Sequence, residues 1–219
     1  ASEQTAGRIL DWKSMSDNTD TPENTAHTAL IVVDVQNDFC PGGSLGTERG
    51  DDVAARIGTL DTSAYDHVVA TMDWHIDPGS HFAPEGEEPN FTTTWPVHCV
   101  ADSHGAQLHP GVSEMKFDEI FRKGEYTAAY SGFEATSDGS AESGQAEEGL
   151  ADWLNSRGVG QIDIVGIATD YCVRATVLDA CKQTKARVRV LRNLCSPVAE
   201  ETERSAIEEM RDAGAEIVD

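Results

Sequence analysis

The residues best suited to chemistry surround Cys172, which stands just beyond a short apolar run ending at Ile167. That run predicts a buried strand, and after a turn at 166–169 the pattern becomes that of a helix carrying Cys172. The first turn of a helix has backbone N–H groups without partners and a partial positive charge, and both favour thiolate over thiol. The position therefore predicts a reactive cysteine. The alternative is a cysteine buried in the core, the usual location of a free cysteine.

A second group of residues has the composition of a metal site. Asp73, His75 and His81 follow one another closely in the sequence, and His98 comes shortly after them. Carboxylate and imidazole groups are ligands for a borderline divalent cation such as zinc, iron or manganese, with zinc favoured here. A single histidine is more often a surface residue or a hydrogen-bonded interior one. Three histidines with an aspartate after one strand predict one divalent metal ion.

Asp34 and Lys123 are suited to the proton chemistry that a cysteine nucleophile needs. A thiolate requires a base that takes its proton and a cation that stabilises its charge, and a carboxylate and an ammonium can supply both. The alternative is that Asp34 and Lys123 form a buried ion pair whose only effect is to join two strands. Backbone N–H groups at the turn before Cys172 could in addition face the oxygen of a bound carbonyl, as in an oxyanion hole.

Alternating strands and helices are the elements that would position these residues. Apolar runs predict strands at 29–33, 67–72, 117–122, 162–167, 187–191 and 215–218, and helices are predicted at 51–60, 150–157, 172–182 and 200–212. The alternation specifies an α/β fold with a mostly parallel sheet and helices on both faces. Asp34, Asp73, Lys123 and Cys172 each come at or just after a predicted strand end. We therefore expect them to meet at one rim of the sheet.

Two segments carry no regular pattern. Residues 74–110 are rich in His, Pro, Gly and aromatic residues, and an irregular segment of this length inside a compact domain is usually functional. Residues 134–149 are rich in Gly, Ser and Glu, so we expect a loop without strands or helices of its own.

Length and cysteine content indicate one domain in a reducing compartment. The chain of 219 residues suits a single domain at 28–219, preceded by a polar N-terminal extension at 1–27. No segment has the length of a membrane span and the N-terminus lacks a signal pattern, so we expect a cytoplasmic protein without a membrane partner. The five cysteines include no CxxC pair and therefore predict free thiols.

The acidic composition is the most unusual property of the chain. It has 39 acidic and 16 basic residues, for a net charge of -23. A surface of this charge repels nucleic acid, so no nucleic-acid partner is expected. The charges are spread along the sequence while the apolar periodicity is kept, which indicates a folded protein with an anionic surface. We interpret this surface as an adaptation to high salt, where screening removes the self-repulsion.

Six motifs in this order resemble the nicotinamidase branch of the isochorismatase-like cysteine hydrolases. They are VDVQNDFCPGG at 33–43, TMDWH at 71–75, WPVHCV at 95–100, RKG at 122–124, YSGF at 130–133 and ATDYCV at 168–173. Any one of these motifs alone is weak, but together they are specific. The resemblance extends over about residues 29–218 and implies a Rossmann-like, three-layer α/β/α fold with a six-stranded parallel sheet.

The resemblance also implies a role for each site residue. Cys172 matches the nucleophile, Asp34 the general base and acid, and Lys123 the cation that completes the triad. The backbone N–H groups of Ala168 and Cys172 match the oxyanion hole, next to a cis peptide bond between Ile167 and Ala168. The remaining positions match the metal ligands and the walls that hold a pyridine ring: Asp73, His75, His81 and His98 for the metal, and Phe39 and Trp95 for the ring.

The reaction implied by this resemblance is the hydrolysis of nicotinamide to nicotinate and ammonia through a thioester, a step of NAD salvage. Isochorismatase members generally lack the metal-ligand set, so its presence here favours a pyridine amide. Two alternatives stay open: hydrolysis of another small carboxamide or N-carbamoyl compound, and a protein that binds a metabolite without catalysis. The expected partner is a small-molecule substrate, and the sequence leaves open whether the chain forms a homo-oligomer.

Overall fold

The computed structural model describes residues 26–138 and 147–219. The predicted extension at 1–27 lies outside this part of the chain except for its last two residues, and its separation from a single domain at 28–219 stays a prediction. Among the described helices, none is long and apolar enough to cross a membrane.

A seven-stranded sheet forms the centre of the fold. Its strands are β1 (His27–Val33), β2 (His67–Asp73), β3 (Glu119–Lys123), β4 (Thr136–Ser137), β5 (Val159–Ile167), β6 (Arg187–Ser196) and β7 (Glu216–Val218). Their order across the sheet is β4-β3-β2-β1-β5-β6-β7. All neighbouring strands are parallel except β3 and β4. The mostly parallel sheet is therefore confirmed, with seven strands in place of the expected six.

The additional strand is β4, which corrects the expectation of a loop without strands at 134–149. It contains two residues and pairs antiparallel with β3 at the edge of the sheet. A pair of polar residues at a sheet edge has no apolar alternation, so periodicity could not indicate it. Part of the predicted loop, at 139–146, lies outside the described residues.

Helices cover both faces of the sheet. They are α1 (Gly50–Gly58), α2 (Pro110–Ser113), α3 (Leu150–Ser156), α4 (Arg174–Gln183) and α5 (Glu200–Asp212). Alternate residues of β1 contribute to two separate apolar cores: Leu30 and Val32 pack with residues of α1 and α2, whereas Ala29, Ile31 and Val33 pack with residues of α3, α4 and α5. This arrangement gives the three-layer α/β/α architecture that the sequence predicts.

The strand order reverses at the centre of the sheet. From β1 the chain adds β2, β3 and β4 on one side, and it then returns to add β5, β6 and β7 on the other side. β1 and β5 are therefore neighbours that lead into opposite halves of the molecule. In open α/β sheets, the crevice beyond the carboxyl ends of such a strand pair is where ligands bind.

Candidate active site

Asp34 is held rigidly at the carboxyl end of β1. Its backbone N–H donates to the carbonyl of Thr71 at 3.1 Å, and its φ of 48° turns the chain sharply away from the strand. Thr71, on the neighbouring β2, donates its hydroxyl hydrogen to Oδ1 of Asp34 at 2.6 Å. The side chain is completely buried. These contacts leave Oδ2 of Asp34 directed towards Lys123.

Lys123 joins the ends of three strands to the candidate nucleophile. It is the last residue of β3 and lies in register with Asp73, the last residue of β2. Its Nζ lies 2.8 Å from Oδ2 of Asp34, contacts Oδ1 of Asp73, and lies 3.6 Å from Sγ of Cys172. All four side chains are buried. The buried ion pair therefore exists, and the same ammonium also contacts the thiol.

Burial disfavours the thiolate at Cys172, contrary to the expectation of a thiolate at a helix start. Cys172 lies in a π-helical turn, Thr169–Val173, and α4 begins only after that turn. Burial raises the pKa of Cys172 well above its usual value; Lys123 opposes the shift, and Asp34 and Asp73 add to it. The sequence could not predict this raised pKa, because the desolvation of Cys172 depends on the whole fold. Formation of the Cys172 thiolate therefore requires a base that takes the proton of the thiol.

Asp34 has the properties of that base. Burial raises the pKa of its carboxyl, Lys123 opposes this shift, and Asp73 adds to it. Burial alone would lower the pKa of Lys123, but Asp34 and Asp73 hold it well above its usual value. Lys123 therefore stays an ammonium, while a carboxyl with a raised pKa accepts a proton from a thiol more readily.

Asp73 and three histidines form a buried cluster beside Lys123. One potential ligand atom from each of His75, His81 and His98 lies within 4.8 Å of the others. Oδ2 of Asp73 lies 3.6 Å from Nε2 of His75 and 3.8 Å from Nε2 of His98. The four predicted metal-ligand residues are thus brought together. His75 lies two residues beyond the end of β2, and all three histidines belong to the irregular segment at 74–110 that the sequence indicates as functional.

The protonation pattern of this cluster fits a divalent metal ion. Nδ1 of His75 donates to the carbonyl of Gly124 at 2.6 Å, and Nδ1 of His98 donates to that of Pro96 at 2.7 Å. Both Nε2 atoms therefore carry lone pairs, and they face each other at 3.3 Å. Nδ1 of His81 is buried, and none of the residues that the structure describes offers it a hydrogen bond. Lone pairs directed at one another in a buried site are the arrangement that a cation stabilises.

The pKa values of the histidines agree with this interpretation. Burial, together with the neighbouring His98 and His75, lowers the pKa of His81 to about 4. Burial also lowers the pKa of His98, against the opposing effect of Asp73. A lowered pKa favours the neutral imidazole of His81 and His98, which is the form that binds a metal ion.

A cavity of about 700 Å³ opens onto both groups of residues. Cys172 and Ala168 line one side, and Asp73, His81 and His98 line another. The predicted ring contacts Phe39 and Trp95 also line it, whereas Asp34 and Lys123 lie behind Cys172 and are fully buried. The cavity lining is mainly apolar and includes a few polar side chains, which suits a flat aromatic substrate with a polar substituent.

Two tyrosines of the cavity wall were not predicted. The Tyr130 hydroxyl accepts a hydrogen bond from Nε1 of Trp95 at 2.9 Å, and the Tyr171 ring packs edge-on against Trp95 with ring centroids 5.2 Å apart. Both line the cavity. Tyr130 belongs to the motif at 130–133, and Tyr171 directly precedes Cys172 in the motif at 168–173, so membership of these motifs was a signal that could have found them.

The turn before Cys172 contains the cis peptide bond between Ile167 and Ala168 that the resemblance implies. The backbone N–H groups of Tyr171 and Val173 both donate to the carbonyl of Ala168, at 3.1 and 3.0 Å. These bonds fix the turn so that Ala168 and Cys172 both border the cavity. An oxyanion hole made by their N–H groups stays a prediction.

Residues 28–219 match the isochorismatase domain family. The chain therefore belongs to the isochorismatase family. It is also similar to the nicotinamidase/pyrazinamidase of Mycobacterium tuberculosis, with 47% identity over 87% of this chain and 97% of that protein.

Solved structures are similar as well. A nicotinamidase pyrazinamidase of Acinetobacter baumanii superposes with a TM-score of 0.75 and 32% identity, covering 90% of this chain and 97% of the other. A pyrazinamidase of Pyrococcus horikoshii, solved in complex with zinc, superposes with a TM-score of 0.69 and 36% identity, covering 88% of this chain and 98% of the other.

Proposed function

We propose that this chain is a metal-dependent cysteine amidohydrolase that converts nicotinamide to nicotinate and ammonia. The observation that carries the proposal is the buried contact of Lys123 with both Asp34 and Cys172 at the wall of an aromatic cavity. A protein that only bound a metabolite would have no need of a thiol with its own base and cation. The nicotinamidases among its relatives support the choice of substrate.

In the first half of the proposed reaction, Asp34 takes the proton from Sγ of Cys172 and the thiolate attacks the carboxamide carbon. The N–H groups of Ala168 and Cys172 hold the negative oxygen of the tetrahedral intermediate. Asp34 returns the proton to the leaving nitrogen, the C–N bond breaks and ammonia departs. Cys172 is left as a thioester of the pyridine carboxylic acid.

In the second half, Asp34 deprotonates a water molecule that attacks the thioester carbon. The C–S bond breaks, Asp34 passes its proton to Sγ of Cys172, and the acid leaves as nicotinate after giving its remaining proton to solvent. Lys123 keeps its charge throughout and stabilises whichever of the carboxylate and thiolate is ionised. The ring packs against Phe39 and Trp95, which places the carboxamide over Sγ.

The proposed metal ion would be bound by Asp73, His75, His81 and His98. When bound, it supplies a Lewis-acid contact that can orient the substrate. Zinc is the proposed ion, because three imidazoles and a carboxylate suit it and the related Pyrococcus horikoshii structure is described in complex with zinc.

The proposed setting of this enzyme is a cytoplasm of high ionic strength. All five cysteines are free thiols, as expected in a reducing compartment. The net charge of -23 is the basis for proposing high salt. The proposal includes no nucleic-acid or membrane partner and leaves open whether the chain acts as a monomer or a homo-oligomer.

The proposed function is tested by ammonia release from a panel of amides, with protein of measured metal content. Nicotinamide should be hydrolysed with a higher kcat/KM than small aliphatic carboxamides or N-carbamoyl compounds, because Phe39 and Trp95 line the cavity and offer aromatic surface to a pyridine ring. A higher kcat/KM for an N-carbamoyl compound would identify that compound, and not nicotinamide, as the substrate. Saturable nicotinamide binding without turnover would contradict the assignment as an enzyme.

A further inference from the structure

Thr47 and Ser196 form a buried polar pair that the proposed reaction does not use. Ser196 donates its hydroxyl hydrogen to Oγ1 of Thr47 at 2.9 Å. Thr47 is 3% exposed and Ser196 is completely buried. A buried hydrogen bond between hydroxyl groups far apart in the sequence costs desolvation and is kept where it orders the structure.

On one side, the pair is connected to the wall that holds the substrate ring. The hydroxyl and the backbone N–H of Thr47 both donate to the carbonyl of Phe39, at 3.1 and 3.0 Å. Residues 41–48 all line the cavity, and Thr47 is near the end of this segment. These two hydrogen bonds therefore join the end of the loop at Thr47 to its start at Phe39.

On the other side, the pair is connected to the turn that precedes the nucleophile. Ser196 is the last residue of β6 and lies in register with Ile167, the last residue of β5. Ala168 is the next residue of the chain after Ile167. The position of Ser196 is thus fixed relative to the backbone that carries the proposed oxyanion hole.

A second contact holds the same loop against β6. Nη2 of Arg49 donates to the carbonyl of Cys195 at 3.2 Å and lies 3.6 Å from Oε1 of the buried Glu203 on α5. Arg49 therefore limits larger movements of the loop at 41–48. The Thr47–Ser196 hydrogen bond sets the distance between this loop and the end of β5.

We propose that Thr47 and Ser196 are positioning residues, which fix the ring-binding wall at Phe39 relative to the oxyanion turn at Ala168. The inference rests on the proposed function. A substrate held between two independently mobile walls would still bind, but its carboxamide oxygen would no longer align with the N–H groups of Ala168 and Cys172. A misplacement of about 1 Å can lower the rate up to about 10²-fold.

Thr47→Val and Thr47→Ser test this proposal in the metal-loaded, full-length protein. Valine keeps the shape of threonine but removes its hydroxyl, and serine keeps the hydroxyl. We expect Thr47→Val to lower kcat for nicotinamide by about tenfold with KM within about twofold of the parent, since alignment rather than binding is lost. Thr47→Ser should recover most of the loss.

The double variant Thr47→Val with Ser196→Ala separates positioning from stability. The single change leaves the Ser196 hydroxyl buried without a partner and should lower the urea midpoint, whereas the double change removes both groups and should restore it. We expect kcat of the double variant to stay low. Thr184→Val is the matched control, because Thr184 also bonds a backbone carbonyl, that of Ala180, but at the far end of α4.

Either of two results would overturn the positioning role: kcat within twofold of the parent in Thr47→Val, or a kcat that recovers together with the urea midpoint in the double variant. Ser196→Ala alone gives the same test if Thr47→Val does not fold. A parent enzyme that releases no ammonia would instead refute the proposed function, so the two failures are distinguishable.

Discussion

At the scale of single residues, Lys123 connects the candidate nucleophile and its base with the cluster of potential metal ligands. Its ammonium contacts Asp34 and Cys172 on one side and Asp73 on the other. A buried ammonium between two carboxylates keeps its charge, and it allows one of those carboxylates to face a thiol and the other to face the histidines. The group proposed for proton transfer and the group proposed for metal binding thus share one cation.

Asp34→Asn tests the role of the proposed base. The amide keeps an oxygen that can accept the hydrogen bond from Thr71, but it cannot take the thiol proton. Because the pKa of Cys172 is raised by burial, few thiolates would form without a base, and we expect kcat to fall by about 10²–10⁴-fold. The measurement is steady-state ammonia release. Asp66→Asn, at an exposed carboxylate, is the control, and a loss below tenfold in Asp34→Asn would refute the assignment.

His81→Ala tests the proposed metal site. His81 is the most informative ligand to remove, because its Nδ1 has no hydrogen-bond partner among the described residues, whereas Nδ1 of His75 and of His98 each bond a backbone carbonyl. We expect about one metal ion per chain in the parent and a much lower content in the variant after dialysis. His104→Ala, at an exposed histidine, should keep the full content. Equal metal content in His81→Ala and the parent would contradict the site.

At the scale of elements, a polar network joins β5 and β6 inside the sheet. Asp163 and Arg189 are register partners, with Nε of Arg189 2.7 Å from Oδ1 of Asp163. The Tyr65 hydroxyl donates to the same carboxylate at 2.6 Å. Asp163 is completely buried, so its charge depends on these two partners. The network aligns the strands whose carboxyl ends carry Ala168 and Ser196.

Arg189→Met should destabilise the protein through this network. The change keeps much of the side-chain volume but leaves the Asp163 carboxylate with a single partner, and we expect a loss of about 2 kcal/mol in the free energy of unfolding. Arg187→Met is a matched control on the same strand: Arg187 pairs with Glu216 but is 61% exposed, so its loss should stay below about 1 kcal/mol. Urea unfolding measures both, and equal losses would contradict the importance of the buried pair.

The sequence predicted the elements better than the contacts between them. Apolar runs located six strands and four main helices, and the strand ends indicated that Asp34, Asp73, Lys123 and Cys172 would meet. The π-helical turn at Cys172 was not predicted, because helical periodicity does not distinguish it from an α-helical first turn. The Thr47–Ser196 bond was also beyond prediction, since it joins hydroxyl groups 149 residues apart that no local pattern relates.

At the scale of the whole molecule, most of the 39 acidic residues lie outside the cavity lining. Asp34 and Asp73 are buried and share the single positive charge of Lys123, whereas Glu48, which also lines the cavity, is exposed. The net charge of -23 therefore acts mainly through repulsion across the surface. Such repulsion destabilises the compact state at low ionic strength and is screened when salt is added.

Thermal unfolding in KCl tests this interpretation. Between low and molar KCl we expect Tm to rise, by about 2–4 °C for each kcal/mol of repulsion that screening removes. Calorimetry at several KCl concentrations, with sucrose as an uncharged comparison, separates screening from general solute effects. A Tm that stayed level or fell with KCl would contradict adaptation to high salt.

The most direct test of the central claim is the release of ammonia and nicotinate from nicotinamide by the parent and by Cys172→Ala. If Cys172 is the nucleophile of an amidase, the parent should release the two products in equal amounts. The variant should keep its fold, measured by circular dichroism, and lose at least about 10³-fold in kcat. A folded Cys172→Ala that kept more than a tenth of the parental rate, or a metal-loaded parent that released neither product, would contradict the account.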